Sequence, residues 1–174
     1  MALVVFLKGI NVGGHRKIRP SELAKRLKRY DAINIGAAGT FVIRKPVTQT
    51  KLRADLKRLL PFESEIMICS ASEIRRLAAT APFAAEQADR NIIQFVSVMG
   101  KRPPVPVRLP LSLPPDGEWG LRVLKHDNRF LLGVHRRQMK AIGHLGRLEK
   151  IVGAPLTTRS WTTIQSIART LEAP

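Results

Sequence analysis

The order of short apolar segments and amphipathic helices in the first 70 residues constrains the fold of this chain most strongly. Leu3 to Leu7 form an apolar run of five residues, which is typical of a buried strand. Three further strands are predicted at residues 32–36, 40–44 and 65–69, where apolar and β-branched residues stand between turn residues. A helix is predicted after the first strand and another after the third. The resulting order, β-α-β-β-α-β, is that of a ferredoxin-like α/β plait.

The predicted helices are recognised by their leucine spacing and by their end residues. The first extends from about Pro20 to Tyr30, and the second from about residue 48 to residue 60, directly before a proline. Ser70 and Glu73 have the spacing of a capping box. We therefore expect a third helix over residues 71–80.

The second half of the chain predicts a similar unit that lacks its first helix. A strand at residues 91–99 precedes residues 103–115, of which six are proline, so no helix can pass through this segment. Five apolar residues alternate there (Val105, Val107, Leu109, Leu111 and Leu113), which favours an extended crossover laid along a surface over a solvated linker. A hairpin (119–125 and 130–135), a helix (139–152), a short strand or turn (157–159) and a last helix from residue 160 are predicted to follow.

We therefore predict an α+β protein of two consecutive ferredoxin-like (α/β plait) domains. The domains comprise residues 1–84 and 85–174, and the second has a proline-rich crossover in place of its first helix.

The net charge indicates the class of partner. Thirty Lys and Arg residues stand against thirteen Asp and Glu, which gives +17 at pH 7. Residues 1–90 carry 17 basic and 8 acidic side chains, and residues 91–174 carry 13 and 5, so the excess is spread through the fold. Such a charge favours nucleic acid or another polyanion through counterion release and electrostatic steering. A basic surface that only keeps the protein dissolved is the alternative.

Other classes of function lack their sequence signals. No segment approaches the ~20 apolar residues of a membrane span, and the first residues enter a strand without a basic leader, so we expect neither membrane association nor a signal peptide. The single cysteine, Cys69, forms no intramolecular disulfide, which favours a cytoplasmic location, and it is predicted to be a small core residue. The four histidines lack metal-ligand spacing. We predict no metal, no cofactor and no catalytic residue, and we leave the question of enzymatic activity open.

The glycine-rich loop after the first strand is the strongest candidate for a binding site. Glycine permits positive φ, so successive N–H groups can point into one concavity and bind an anion. The loop is neither a Walker A loop nor a dinucleotide fingerprint, and its glycines are alternatively required only for the shape of the connection. Basic residues follow it, seven of them within residues 16–29. The predicted anion-binding residues here are Gly13, Gly14, His15, Arg16, Lys17, Lys25, Arg26 and Arg29.

A second anion-binding segment is predicted at Thr158, Arg159 and Ser160, where an arginine stands among hydroxyl groups at the start of a helix. Alternatively Ser160 is only an N-cap and Arg159 only a surface side chain. Phe6 and Phe41 lie on the two strands that expose stacking aromatics in RNA-recognition plaits, and the alternative is that both belong to the core.

Three motifs carry a resemblance to a known family. They are Leu-Lys-Gly-Ile-Asn-Val-Gly-Gly at residues 7–14, Ala-Pro-Phe at 81–83 and Gly-Ala-Pro-Leu-Thr-Thr-Arg-Ser-Trp-Thr-Thr at 153–163. Together they resemble, in order and over nearly the whole chain, the bacterial family known as domain of unknown function 1697. The resemblance implies two successive α/β plaits and brings no catalytic residues. The chain departs from the family at residues 37–40, Ala-Ala-Gly-Thr, where relatives more often have Gln-Ser-Gly-Asn.

Three functions are consistent with these features. The first is a non-catalytic, cytoplasmic anion-binding protein whose partner is nucleic acid. The second is an enzyme that acts on a small phosphorylated substrate in a cleft between the domains. The third is a structural or oligomerisation domain, and the oligomeric state itself is left open.

Overall fold

Two antiparallel sheets organise the protein, for which a computed structural model describes residues 1–12, 14–85, 89–138 and 140–173. These residues form five α-helices and nine strands. They group into two units, Met1–Thr80 with Thr162–Pro174, and Ala81–Trp161. We call them unit 1 and unit 2. This grouping assigns the last helix to unit 1, whereas the predicted domains assign it to the second, and the boundary between residues 84 and 85 stays a prediction.

The first apolar segment becomes a central strand of the four-stranded sheet in unit 1. Strand β1 (Leu3–Leu7) pairs with β3 (Thr40–Ile43) on one side and β4 (Ile66–Ser70) on the other, and β2 (Ala32–Asn34) lies beyond β3. All of these pairs are antiparallel. Cys69 is buried in β4 opposite Val4, as its predicted core role requires.

Leucines of two helices cover one face of this sheet. Helix α1 (Pro20–Arg26) and helix α2 (Gln49–Leu59) contribute Leu23, Leu52 and Leu56 to a core that also contains alternate residues of β1. Helix α1 ends four residues earlier than predicted. A 3-10 turn follows it, and Asp31 takes φ +50° before β2 begins.

Local capping and long-range contacts hold the remaining helices of unit 1. Helix α3 (Ala71–Ala79) begins with the predicted capping box between Ser70 and Glu73. Helix α5 (Trp161–Glu172) follows the last strand, and its terminal carbonyls accept hydrogen bonds from Arg44 and Arg75. Cations at this end of a helix compensate its unsatisfied carbonyl groups.

The two phenylalanines considered for base stacking are both core residues. Phe6 and Phe41 are each 0% exposed. Phe41 stands opposite Val5, so Phe41 shares the helix-covered face with Val5 while Phe6 lies on the other face. They therefore form no common platform on which nucleic-acid bases could stack.

Unit 2 is built on a five-stranded antiparallel sheet with the order β6-β7-β8-β5-β9. Helix α4 (Ala141–Val152) contributes Leu148 and Val152 to the core on one face of this sheet. Its strands are β5 (Ile92–Met99), β6 (Leu111–Leu113), β7 (Leu121–Asp127), β8 (Phe130–Arg136) and β9 (Leu156–Ser160).

The proline-rich segment ends in the edge strand β6. Leu113 is buried in the core of unit 2, and the partly buried Val107 packs against this core. In contrast, Val105 is 65% exposed and Leu109 is 38% exposed. The five alternating apolar residues therefore do not form one continuous buried stripe.

Gly133 in β8 allows the backbone of β7 and the ring of Phe95 to approach β8 closely. A Cβ atom at this position would stand 2.2 Å from the carbonyl oxygen of Arg122 and 2.8 Å from the ring of Phe95. No other residue type fits there without movement of the backbone. None of the described helices is long and apolar enough to cross a membrane.

Candidate anion-binding surface

The glycine loop is closed by an asparagine that the sequence analysis did not single out. Asn11 takes φ +57°, its side-chain amide donates to the Ala37 carbonyl, and its Oδ1 accepts from the Ile18 amide. Asn11 and His15 also use their backbone N–H groups within the loop, at 3.3 Å and 3.2 Å from the carbonyls of Arg16 and Val12. The amides of residues 11, 15 and 18 are therefore not available to an anion.

The remaining predicted loop residues lie at the surface. Gly13 lies outside the described residues. Gly14 takes φ +76° and borders a depression of about 470 Å³ together with Asn11 and Lys17. His15, Arg16 and Lys17 are exposed. The exposed side chains of His15, Arg16 and Lys17 can therefore contact an anion, and the nest of amides predicted at Gly13 and Gly14 stays a prediction.

Arg16 and Arg26 converge on the end of helix α2 and the three residues after it. The Arg16 guanidinium lies 5.9 Å from the centre of the Phe62 ring. Arg26 Nη1 donates to the Leu59 carbonyl at 3.2 Å. Two cations that are ten residues apart in sequence thus meet the same four-residue segment.

Helix α2 supplies further cations on both of its sides. Arg53, Lys57 and Arg16 line a depression of about 630 Å³, which also contains Glu63 and Glu65. Arg58 lines a second depression, of about 260 Å³, together with Arg26, Lys28, Arg29 and Asp55. We call this surface the α1–α2 basic face, and we define it as Arg16, Arg26, Lys28, Arg29, Arg53, Lys57 and Arg58.

Part of this charge stabilises helix α2 itself. Its last turn carries Lys57 and Arg58, and its C-terminal carbonyl at Leu59 accepts from Arg26. The end of a helix with unsatisfied carbonyls carries a partial negative charge, which these cations compensate. Lys25 is neutralised locally, because it forms an exposed ion pair with Glu22 at 2.8 Å that holds the pKa of Glu22 below its ordinary value.

A buried carboxylate neutralises two of the arginines. Asp55 is 2% exposed, and it accepts from the Tyr30 hydroxyl, from Arg29 and from Arg58. The hydrogen bond from Tyr30 lowers the pKa of Asp55 to about 2, together with the hydrogen bond from Arg58 and the positive charge of Arg29. Burial and the hydrogen bond to Asp55 raise the pKa of Tyr30. This network joins the 3-10 turn to α2, and one sequence signal points to it: Asp55 is the only acidic residue between Asp31 and Glu63.

The second predicted segment is part of strand β9 in unit 2. Thr158 Oγ1 lies 2.7 Å from Ser97 Oγ, and Ser160 is half-buried at the end of the strand. Arg159 is 7% exposed, and it donates to the Thr157 hydroxyl and the Thr158 carbonyl. Burial lowers the pKa of Arg159 to about 10. A side chain this buried presents no surface to a polyanion, so we do not include Arg159 in the candidate site. The roles predicted for Thr158 and Ser160 stay predictions.

Comparison with known proteins identifies the family of the chain. The sequence profile of the family described as "Protein of unknown function (DUF1697)" matches residues 1–109. The chain belongs to this family. The family match includes all strands of unit 1 and ends before the third motif, at residues 153–163. The family resemblance predicted from sequence is thereby confirmed.

One solved structure shares the fold of this family member. The conserved bacterial protein SP0830 from Streptococcus pneumoniae aligns with a TM-score of 0.62 over 98% of each chain, at 13% sequence identity. At this identity the similarity concerns the fold alone. A comparison with curated proteins gives no match.

Proposed function

We propose that this family member is a non-catalytic, cytoplasmic nucleic-acid-binding protein that contacts phosphates through the α1–α2 basic face. One observation carries the proposal: cations from three separate segments, namely the loop, α1 with its 3-10 turn, and α2, lie together around the end of α2. The net charge of +17 supports the same class of partner.

The distribution of the cations favours a polymer over a small anion. They line two depressions, one beside Arg53 and Lys57 and the other beside Arg58. A single phosphate group occupies one such depression, whereas a chain of phosphates contacts both. Lys28 and Lys57 are exposed and have no ion pair or hydrogen bond with the described residues, so they are available to such a partner.

The proposal is tested by removing these two charges. The double variant Lys28→Gln with Lys57→Gln is compared with Lys140→Gln with Lys150→Gln, which removes the same charge from exposed positions at helix α4. Affinity for labelled oligonucleotides, single-stranded and duplex, is measured by fluorescence anisotropy over a range of salt concentrations. We expect the first variant to reduce the slope of log K against log salt by about 1.4 on single strands and about 1.8 on duplex, since two phosphate contacts are lost.

The control variant is expected to change this slope much less. Equal effects of the two variants would assign binding to overall charge and overturn the assignment to the α1–α2 basic face. A chain that binds neither RNA nor DNA at low salt would overturn the proposal altogether. The alternative predictions, an enzyme of phosphorylated substrates and an oligomerisation domain, stay predictions.

We also interpret both units as plait-like. The order β2-β3-β1-β4 and the helices after β1 and β3 support a ferredoxin-like plait for unit 1. In unit 2 the proline-rich segment and β6 stand between β5 and β7, where a plait has its first helix. This order supports the predicted crossover.

A further inference from the structure

Two arginines of unit 2 stack against one tryptophan. Trp119 lies two residues before the start of strand β7, and the guanidinium carbons of Arg122 and Arg136 lie 4.8 Å and 4.7 Å from the centre of its ring. Such distances are those of cation–π contacts. We call these three residues the Trp119 stack.

The pairing of the strands places both arginines on one face of the sheet. Arg122 stands opposite Val134, and Arg136 lies two residues further along β8, so their side chains leave the same face. Ser112 of β6 stands opposite Arg122 and shares that face. The neighbours of Arg122 along the strand, Leu121 and Val123, belong to the core on the opposite face.

The two arginines differ in their neutralisation. Arg136 donates through Nε to the Trp119 carbonyl at 2.8 Å and forms an ion pair with Glu118 at 3.2 Å. Arg122 donates through Nε to the Ser112 hydroxyl at 3.1 Å. Among the residues that the structure describes, no carboxylate pairs with Arg122, and its terminal nitrogens Nη1 and Nη2 have no hydrogen-bond acceptor.

A half-buried guanidinium that has no carboxylate partner, such as that of Arg122, is suited to bind a phosphate. Partial burial removes some of its hydration, and no carboxylate restores the lost stabilisation. The ring and the Ser112 hydroxyl hold the planar group in one orientation, so little side-chain entropy is lost on binding. Its remaining donors match two oxygens of one phosphate.

We infer that the Trp119 stack is a second phosphate-binding site, located in unit 2, for the backbone of a nucleic acid. This inference rests on the proposed function for the class of ligand. It adds a phosphate contact by Arg122, which the net charge of the chain alone does not identify. Arg122 is the contacting residue, whereas Trp119 and Ser112 position it.

Tryptophan fluorescence reports on this site directly. The chain has two tryptophans, and Trp161 is 9% exposed and packs edge-on against Phe83 at 5.4 Å. In the variant Trp161→Phe, Trp119 is the only tryptophan. We expect a single-stranded poly-dT oligonucleotide to change its emission as it binds. The variant Trp119→Phe of the otherwise natural chain is the matched control and is expected to lose most of the response.

Anisotropy gives a second measurement that needs no tryptophan. We expect Arg122→Gln to weaken binding of the same oligonucleotide roughly tenfold at low salt, because one charge-assisted contact is lost. The salt slope should decrease by about 0.7. Arg122→Lys retains the charge without the planar guanidinium group. The affinity of this variant for the oligonucleotide should therefore lie between those of the natural protein and Arg122→Gln. The melting temperature of each variant checks that it is folded.

The outcomes separate this inference from the proposed function. If the Lys28 and Lys57 substitutions weaken binding, while Arg122→Gln and the Trp119 emission show no effect, the second site is refuted and the α1–α2 basic face stands. If only Arg122→Gln weakens binding and the emission responds, the second site stands and the α1–α2 basic face is refuted. If neither set of substitutions has an effect, both assignments fail.

Discussion

Two of the arginine–aromatic stacks among the described residues, one in each unit, differ in their counter-ion. In unit 1, Arg29 lies 4.7 Å from the centre of the Tyr30 ring, and Asp55 pairs with it. In unit 2, Arg122 lies 4.8 Å from the centre of the Trp119 ring, and among the described residues it has a hydroxyl neighbour and no carboxylate. The cation–π geometry is nearly the same. The comparison teaches that a neighbouring acid, and not the stacking, decides how much of the charge of such an arginine remains for a ligand.

The cost of leaving a charge without a partner explains this difference. Asp55 is buried, so its carboxylate requires the hydrogen bonds of Tyr30, Arg29 and Arg58, and those arginines in turn are occupied. Arg122 is only half-buried and keeps part of its hydration. It can therefore remain without an acid until an anion binds.

The largest effect is expected from a substitution that forces apart β7 and β8, the strands that carry Arg122 and Arg136. In Gly133→Ala the new Cβ would stand 2.2 Å from the Arg122 carbonyl, so β7 and β8 must separate. We expect the free energy of unfolding to fall by at least about 3 kcal/mol, at the upper end of overpacking effects. Urea unfolding followed by tryptophan fluorescence measures it, since both tryptophans belong to unit 2.

Gly143→Ala is the matched control for this prediction. Gly143 is in helix α4 and has open space at its Cβ position. Alanine has the higher helix propensity, so a gain of up to about 1 kcal/mol is expected. A loss equal to that of Gly133→Ala would contradict the argument from close approach.

The next largest effect is expected from removing the negative charge of Asp55, the counter-ion of Arg29 in unit 1. The pKa of Asp55 is about 2 in the folded protein, below its ordinary value of 3.8. Its stabilising contribution is therefore fully present above pH 4 and is lost as the pH falls toward 2. We expect Asp55→Asn to lower the melting temperature at pH 7, and this difference from the natural protein to shrink between pH 4 and pH 2. Thermal unfolding over that pH range measures it.

The same variant should also bind polyanions more tightly, because Arg29 and Arg58 lose their acid. Asp31→Asn is the control, since it removes one negative charge from a nearby exposed position where asparagine tolerates the positive φ. If Asp31→Asn raised the affinity equally, net charge alone would explain the gain. A melting-temperature difference that is as large at pH 2 as at pH 7 would contradict the role given to the carboxylate.

The smallest effect on stability is expected from giving Arg122 an acid partner. Ser112→Asp places a carboxylate beside the Arg122 Nε, which makes this stack resemble that of Arg29. We expect oligonucleotide affinity to fall roughly tenfold, as one charge-assisted contact is blocked. The free energy of unfolding should change by less than about 1 kcal/mol, as for a partly exposed ion pair. Anisotropy and urea unfolding measure the two quantities.

Ser112→Asn controls for the shape of the new side chain without its charge. Affinity close to that of the natural protein is expected for this variant. Equal weakening by asparagine and by aspartate would mean that Ser112 acts through packing and not through the charge of Arg122.

Local signals in the sequence predicted most elements of unit 1. The capping box of Ser70 and Glu73 and the strand at Thr40 needed only neighbours within a few residues, and the structure has both. The end of α1 was missed because the chain continues from Leu27 into a 3-10 turn, and the spacing of apolar residues does not distinguish such a turn from a further turn of α-helix. The faces of Phe6 and Phe41 depend on the pairing of β1 with β3, which the alternation within either strand does not reveal.

The sequence by itself determined the family, the α+β class and the positive charge, because these follow from composition, motifs and hydrophobic spacing. Only the tertiary structure decided which cations are neutralised. Asp55, which pairs with Arg29, is 26 residues away from it in the sequence. Arg122 in β7 instead donates to the hydroxyl of Ser112 in the neighbouring strand β6. Charge–charge energies depend on distance and burial, and the fold sets both, so the amino-acid order alone leaves the two arginines indistinguishable.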